Sequence, residues 1–211
     1  MTDKTILCFG DSNTHGTIAL TGLDDLGRMG RHDAATRWPG VMAAALGPGH
    51  HVIEEGLPGR TTVHDDPIEG AHMNGLAVLP AILASHRPLD LVIVMLGTND
   101  CKARFSLTAF DIALGAGLLL EATARLAPEA ARLLVAPVPI TETGFLAGMF
   151  EGGEAKSRAL APHYQTEARR WGADFTDLAS VAQVDPTDGI HLTTDAHAAI
   201  GAHLAGAVAG A

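Results

Sequence analysis

The chain has 211 residues, a length that fits one domain spanning residues 1–211 better than two. Its composition, 47% hydrophobic and 18% charged, is too apolar for an intrinsically disordered protein. The formal net charge of -10 leaves no broad basic surface to neutralise phosphates, which argues against a nucleic-acid partner.

The apolar segments are too short to cross a membrane. The run at residues 91–96 falls far below the ~20 residues that a spanning helix needs, so we expect no membrane partner. The first strand is expected to begin by Thr5, which leaves no room for a secretory signal before it and favours a cytoplasmic protein. The two cysteines, Cys8 and Cys101, lack the CxxC spacing of a zinc site and are expected to be unpaired.

From the N-terminus onward, short β-type segments alternate with longer helical patterns. Runs of β-forming residues predict strands over residues 6–9, 51–53, 91–96, 133–136 and, more weakly, 174–177. Helical periodicity predicts helices over residues 38–46, 76–86, 109–126, 154–171 and 195–208. Thr193 or Thr194 is the expected cap of the last helix.

The alternation of strand and helix predicts parallel strands joined by right-handed crossovers, with helices on both faces of the sheet. The sequence therefore predicts an α/β fold of three layers, an α/β/α sandwich. Ligands in such folds bind beyond the carboxyl ends of the strands, so functional residues are expected where each apolar segment stops.

Polar residues follow three of the predicted strands and precede the last helix. These stretches are residues 10–13 (GDSN), 54–60 (EEGLPGR), 97–100 (GTND) and 188–191 (DGIH). Together they contain a hydroxyl, backbone amides of small residues, a carboxamide, a carboxylate and an imidazole. Those are the groups that an acyl-transfer site uses.

Ser12, Asp188 and His191 are candidates for a catalytic triad. Ser12 alone could simply cap a helix, and its hydroxyl becomes a nucleophile only if a neighbouring base accepts the proton. His191 can supply that base near neutral pH. Asp188, three residues before His191, can accept a hydrogen bond from Nδ1 of the imidazole, which leaves Nε2 for Ser12. The alternative is that Asp188 only caps the turn.

Asn99 and Gly59 are candidates for an oxyanion hole, although both residue types are also common in turns. The side-chain amide of Asn99 could donate a hydrogen bond to a developing oxyanion beside Ser12. The backbone amide of Gly59 is open to a ligand because no Cβ covers it.

These residues resemble the blocks of the SGNH, or GDSL-type, hydrolases, a superfamily of esterases, thioesterases and lipases. The four blocks occur in order as Ser12, Gly59, Asn99 and His191, with Asp188 in the Asp-x-x-His block. The resemblance is greatest to the mycobacterial arylesterase/acyltransferase branch and covers nearly the whole chain. The stretches that carry it are ILCFGDSNTHG (6–16), RWPGVMAAALG (37–47), VIEEGLPGRTT (52–62), PLDLVIVMLGTNDCKARF (88–105) and FEGGEAKSRALA (150–161).

The resemblance implies a flavodoxin-like fold with five parallel strands. It also implies that Ser12 is the nucleophile, His191 the base and Asp188 the residue that orients it. The oxyanion hole would consist of the Ser12 amide, the Gly59 amide and the Asn99 side chain. No cofactor or metal is implied. We expect three further side chains to line the substrate pocket, namely those of Asp11, His15 and Pro58.

The function that the resemblance implies is hydrolysis of small alkyl or aryl esters through an acyl-enzyme. Some similar members also transfer the acyl group to an alcohol, so the expected partners are a small ester and an alcohol acceptor. Members of this branch form octamers, which implies a homo-oligomer here.

Three positions depart from the family pattern. Asn13 stands where the signature has Leu, and Glu54 stands where many members have Asn, which leaves the hydrogen bonding around Gly59 open. His15 replaces a bulky Trp of the mycobacterial enzyme, so the acyl or alcohol preference is expected to differ. None of these changes removes a catalytic group.

Other functions are open on the sequence alone. A phosphate-binding module would use residues 10–16, but this loop has neither GxGxxG nor a P-loop lysine. A metal hydrolase is suggested only by residues 64–66 (HDD) and His72, which lack zinc-enzyme spacing and are expected to be exposed. Carbohydrate acetylesterase and thioesterase activities are alternatives within the hydrolases, although 4% aromatic residues give few platforms for sugar rings. Residues 17–36 either border the pocket or form a solvated crossover.

Overall fold

The computed structural model describes residues 4–26 and 28–210. The strands form one five-stranded sheet in the order β2-β1-β3-β4-β5, and all four pairings are parallel. The strands are β1 (Lys4–Gly10), β2 (His50–Gly56), β3 (Leu91–Met95), β4 (Ala131–Ala136) and β5 (Asp174–Asp177).

Helices cover both faces of this sheet. They are α1 (Ser12–His15), α2 (Leu23–Leu26), α3 (Trp38–Leu46), α4 (Gly75–His86), α5 (Ala109–Leu126), α6 (Gly153–Arg158), α7 (Leu160–Arg170) and α8 (Thr194–Ala209). Short 3-10 helices span Ala71–Met73, Asn99–Cys101 and Ala103–Phe105. In the described part of the chain, no helix has both the length and the apolarity needed to cross a membrane.

Alternation along the strands divides the core in two. In β1, Leu7 and Phe9 face the core under α4, α5 and α7, whereas Ile6 and Cys8 face the core under α3 and α8. All four side chains are buried, which is what a parallel sheet covered on both faces requires. The predicted three-layer α/β/α sandwich with a flavodoxin-like, five-stranded parallel sheet is confirmed.

The prediction of one continuous helix over residues 154–171 is wrong, because this stretch contains two helices, α6 and α7. Ala159 separates them. Pro162 has no amide hydrogen to donate to the carbonyl of Arg158, so a continuous helix through this point would lose a hydrogen bond and crowd the proline ring. Thr193 is the cap of α8, since its side chain accepts from the amide of Ala196.

The strand order fixes where a ligand can bind. The order reverses at β1, which lies between β2 and β3, and such a reversal opens a crevice at the carboxyl ends of the strands. Gly10 is in register with Gly56 on one side and Met95 on the other. The segments that follow β1, β2 and β3 therefore start at the same edge of the sheet.

Candidate active site

Ser12 is the first residue of α1, two positions after Gly10 at the end of β1. Asp11 caps this short helix by accepting a hydrogen bond from the amide of Asn13 at 2.9 Å. A Cβ atom at Gly10 would collide with the side chain of Thr14, so the tight turn from strand to helix depends on glycine there. Ser12 is buried but opens to a pocket.

Asp188 and His191 form a hydrogen-bonded pair in the loop before α8. Asp188 Oδ2 lies 2.5 Å from His191 Nδ1, and Oδ1 accepts the amides of His191 and Ile190, each at 3.0 Å. The amide of Leu20 donates to Oδ2 at 2.8 Å. Burial raises the pKa of Asp188, but these hydrogen bonds and the nearby imidazole outweigh it and lower the pKa to about 2. Asp188 is thus a carboxylate at neutral pH.

The imidazole of His191 faces the same pocket as Ser12. Its Nδ1 is used by Asp188, and within residues 4–26 and 28–210 no hydrogen bond joins the ring to the Ser12 hydroxyl. Asn13 ties the two segments together, since its Nδ2 donates to the carbonyl of Ile190 at 3.1 Å. The residue that replaces the signature Leu is thus a link between the serine helix and the histidine loop.

Gly59 and Asn99 line the pocket beside Ser12. Gly59 has a φ of 87°, in the left-handed region, and a Cβ atom there would collide with Glu69 Oε2. Asn99 donates one Nδ2 hydrogen to the carbonyl of Arg60 at 3.1 Å, which leaves the second hydrogen for another acceptor.

Two buried charged residues that the sequence analysis did not single out brace this edge of the sheet. The amide of Thr62 donates to both carboxylate oxygens of Asp100, to Oδ1 at 3.1 Å and to Oδ2 at 3.0 Å. The hydroxyl of Thr62 donates to Oδ1 at 2.5 Å. Arg60 donates to the carbonyl of Gly10 at 2.9 Å, and its guanidinium lies 4.3 Å from the centre of the Phe9 ring. Asp100 is next to Asn99 and follows the most apolar strand, and this position in the sequence could have indicated that it belongs to the site.

The pocket has a volume of about 410 Å³. Its wall is mostly apolar, and Leu20 and Met29 contribute to it, so the segment at residues 17–36 does border the pocket. Pro58 lies in the wall as expected. The full lining is Ser12, Leu20, Met29, Pro58, Gly59, Ile68, Glu69, Met73, Asn99, Lys102, Arg104, Leu146, Met149, Phe150, Ile190 and His191.

Two residues expected in the pocket, Asp11 and His15, lie outside this lining. The side chain of Asp11 turns inward to cap α1, and its Oδ2 is buried without a partner among the described residues. Burial raises the pKa of Asp11 to about 6. The ring of His15 turns to Thr17, whose Oγ1 is 3.0 Å from Nδ1.

Glu54 is not involved in the hydrogen bonding of Gly59. Its carboxylate accepts from Arg37 at 2.7 Å and from Arg31 at 3.3 Å. Arg31 in turn donates to the carbonyl of His15 at 2.7 Å. Glu54 therefore holds the segment that carries Leu20 and Met29 into the pocket wall.

The expectation that residues 64–66 are all exposed is wrong for Asp66. This carboxylate is fully buried and pairs with Arg104 at 2.9 Å and with Lys102 at 3.5 Å. Its partners lie more than thirty positions along the chain, which no local pattern reveals. No group of three or more His, Cys, Asp or Glu residues in the described part of the chain is arranged to hold a metal ion.

The chain is similar to known proteins in both sequence and structure. The GDSL-like lipase/acylhydrolase family matches residues 8–199. The M. smegmatis aryl esterase superposes with a TM-score of 0.92 at 41% identity, covering 98% of this chain and 99% of that one. Est24, a carbohydrate acetylesterase from Sinorhizobium meliloti, superposes with a TM-score of 0.91 at 40% identity, covering 99% of each chain. A comparison with curated proteins found no match.

The family match covers most of the chain, including the end of β1, all of β2 to β5 and the residues from Ser12 to His191. The two similar structures extend over nearly the full length of both partners. The chain therefore belongs to the GDSL-like lipase/acylhydrolase family and is a carboxylic ester hydrolase.

Proposed function

We propose that the protein hydrolyses small acyl esters with Ser12 as nucleophile, His191 as general base and Asp188 as the residue that orients the base. The observation that carries this proposal is the Asp188–His191 hydrogen bond of 2.5 Å at Nδ1, which leaves Nε2 for the pocket that Ser12 also lines. Catalytic hydrogen bonds are often long in a free enzyme and shorten when substrate binds, so we expect Nε2 to approach the hydroxyl in the substrate complex.

Acylation begins when His191 accepts the Ser12 proton and Oγ attacks the ester carbonyl carbon. The negative charge that develops on the carbonyl oxygen accepts hydrogen bonds from the amides of Ser12 and Gly59 and from Asn99 Nδ2. Asp188 stabilises the imidazolium because it is ionised and hydrogen-bonded to Nδ1. The C–O bond then breaks, and the alcohol leaves with the proton from His191.

Deacylation repeats these steps with a second nucleophile. His191 accepts a proton from water, and the water oxygen attacks the carbonyl carbon of the acyl-enzyme. The bond from that carbon to Ser12 Oγ then breaks, Oγ takes the proton from His191, and the acid is released. An alcohol that occupies the place of water takes the acyl group instead, and the protein then acts as an acyltransferase. The apolar wall of the pocket favours an alcohol over water because burial of its hydrocarbon is favourable.

The size and lining of the pocket support small acyl esters as substrates. A volume of about 410 Å³, bounded by Met149, Phe150 and Ile190, suits a short acyl group with an aryl or alkyl alcohol. The similarity to the M. smegmatis aryl esterase supports the same choice. A carbohydrate acetylester is the second candidate, because Est24 is equally similar and the pocket also has a charged end at Glu69, Lys102 and Arg104.

We also propose that the protein assembles as a homo-oligomer, an octamer by resemblance. Two apolar side chains of the pocket wall are open to solvent: Ile68 is 76% exposed and Met29 is 40% exposed. Burial of such side chains against another copy would remove apolar surface from water at the pocket mouth. Light scattering on the purified protein measures the mass of the assembly.

The proposed nucleophile is tested by replacing Ser12 with alanine. Ser12→Ala is expected to lower kcat/KM for p-nitrophenyl acetate by about 10⁴-fold or more. Its thermal unfolding should match the wild type, because the change removes one oxygen at the pocket wall. Ser180→Ala, which alters an exposed serine, is the matched control and should leave turnover unchanged. Full turnover by a folded Ser12→Ala protein would reject the proposal.

A further inference from the structure

Four charged residues form a cluster in and behind the pocket wall: Asp66, Glu69, Lys102 and Arg104. Lys102 Nζ lies 2.6 Å from Glu69 Oε1, and Arg104 Nη1 lies 2.9 Å from Asp66 Oδ1. The cluster contains two carboxylates and two cations, so it adds no net charge to the pocket. An ester of either sign gains no overall attraction from it.

Asp66 is the anchor of this cluster. It is fully buried, and its Oδ1 also accepts the amides of Ile68 and Glu69 at 2.8 and 3.0 Å. Burial raises the pKa of Asp66, but these bonds and the two cations outweigh it and hold the pKa at about 2. The turn that carries Glu69 is therefore fixed against the segment that carries Lys102 and Arg104.

Glu69 has one carboxylate oxygen that the cluster does not use. Lys102 and Arg104 both bond Oε1, at 2.6 and 3.4 Å. The other oxygen, Oε2, lies against Gly59 in the space that a Cβ atom would need. Gly59 and Glu69 both line the pocket, and 29% of the Glu69 side chain is exposed. Oε2 is thus a hydrogen-bond acceptor at the pocket wall beside the proposed oxyanion hole.

Arg104 adds donors at the same end of the pocket. Its bonds to Asp66 and Glu69 all run through Nη1, and its Nε and Nη2 have no partner among the described residues. A guanidinium can donate five hydrogen bonds, so these nitrogens are free for a ligand. Much of the rest of the wall is apolar and includes Met73, Met149 and Phe150.

We infer that Glu69 and Arg104 determine specificity for the alcohol part of the ester, and that they favour alcohols with free hydroxyl groups close to the ester oxygen. A hydroxyl donates to Glu69 Oε2, and a second hydroxyl oxygen accepts from Arg104. The acyl group then lies against the apolar wall. This inference rests on the proposed function and extends it to a substrate class, namely neutral esters of polyhydroxylated alcohols.

The test compares two acetate esters that differ only in the alcohol, glyceryl monoacetate and phenyl acetate. In Glu69→Gln the ratio of kcat/KM for the glyceryl ester to that for the phenyl ester is expected to fall about tenfold, because a hydrogen bond to a charged acceptor is replaced by one to a neutral amide. Glu129→Gln, which removes an exposed carboxylate paired with Arg87, is the control and should leave the ratio at its wild-type value.

Glu69→Asp provides a second variant that keeps the charge beside Lys102 and Arg104. The shorter side chain withdraws the carboxylate from Gly59. The same ratio is therefore expected to fall, mainly because KM for the glyceryl ester rises. An unchanged ratio in both variants would overturn the inference, as would a wild-type enzyme that hydrolyses phenyl acetate but not the glyceryl ester. If the wild type hydrolyses neither ester, the proposed function itself fails, and that result differs from a ratio that does not move.

Discussion

Single hydrogen bonds decide what each polar residue of the site can do. Asp188 has both oxygens filled by Leu20, Ile190 and His191, so its carboxylate has one orientation and stays ionised. Asn99 has one hydrogen committed to Arg60 and one available. Such residues are positioned before substrate binds, so little reorganisation remains for the reaction itself.

His197 is a buried histidine that the proposed mechanism does not use. It lies in α8 with Nδ1 3.3 Å from the amide of Trp38 and with Nε2 unpartnered among the described residues. Burial lowers its pKa to about 4, and the nearby His32 and Arg37 act in the same direction. The folded state therefore favours the neutral ring.

The protonation of His197 predicts a loss of stability in mild acid. Since the folded pKa is below the unfolded value of ~6.5, the unfolded chain binds the proton first, and stability falls as the pH drops from about 6.5 to about 4. Between pH 7 and pH 5 the wild type should lose about 2 kcal/mol more than His197→Asn, which keeps an acceptor for Trp38 but cannot titrate. Urea unfolding at both pH values measures this difference. His51→Asn, at an exposed position, is the control, and equal losses in wild type and His197→Asn would contradict the assignment.

The sequence indicated Ser12, Gly59, Asn99 and His191 because each follows an apolar strand or precedes a helix, where parallel sheets bind ligands. It did not indicate the ion pairs of Asp66, because they depend on the relative position of two distant loops. The inward turn of Asp11 and the contact of His15 with Thr17 also depend on rotamers that sequence spacing does not determine.

At the level of elements, the site depends on how the segments after β2 and β3 are joined. Asp100 binds the amide and hydroxyl of Thr62, and Asn99 binds the carbonyl of Arg60. These hydrogen bonds join the segment after β2 to the segment after β3, although β1 lies between these two strands in the sheet. They fix the peptide of Gly59 relative to the Asn99 side chain. These two groups are the proposed oxyanion donors that lie outside α1.

Replacing Asp100 with asparagine should loosen this connection. One oxygen remains for Thr62, but the amide that replaces the other cannot accept, so we expect kcat for p-nitrophenyl acetate to fall about tenfold with little change in KM. Steady-state kinetics measure both constants. Asp174→Asn, an exposed change in β5, should behave as wild type. Wild-type kinetics in Asp100→Asn would show that the connection has no part in catalysis.

Elements with a clear period were predicted well, and interruptions were not. The predictions for β1, β2 and β4 were shorter than the strands by one to three residues at an end, and the prediction for β3 was one residue too long. The predicted bounds of β5 and α5 match the structure. The break between α6 and α7 was missed because Pro162 lies in the third position of α7, where its effect on the preceding turn is easily overlooked. The short helices α1 and α2 are too brief to show a period.

For the whole molecule, the sheet order β2-β1-β3-β4-β5 explains why distant residues meet. Ser12 and His191 are far apart in the chain, yet the reversal of strand order at β1 and the loop before α8 bring both to one pocket. The family comparison agrees over residues 8–199, so the prediction of an ester hydrolase is confirmed. The cytoplasmic location and the octamer stay predictions.

The central claim is that Ser12 is the nucleophile of this pocket, and covalent labelling tests it most directly. The purified enzyme is treated with a fluorophosphonate, digested and analysed by tandem mass spectrometry while residual esterase activity is followed. We expect one phosphonate on Ser12, appearing at the rate at which activity is lost, and none in Ser12→Ala. Loss of activity with the label on another residue, or full labelling of Ser12 with activity retained, would contradict the account.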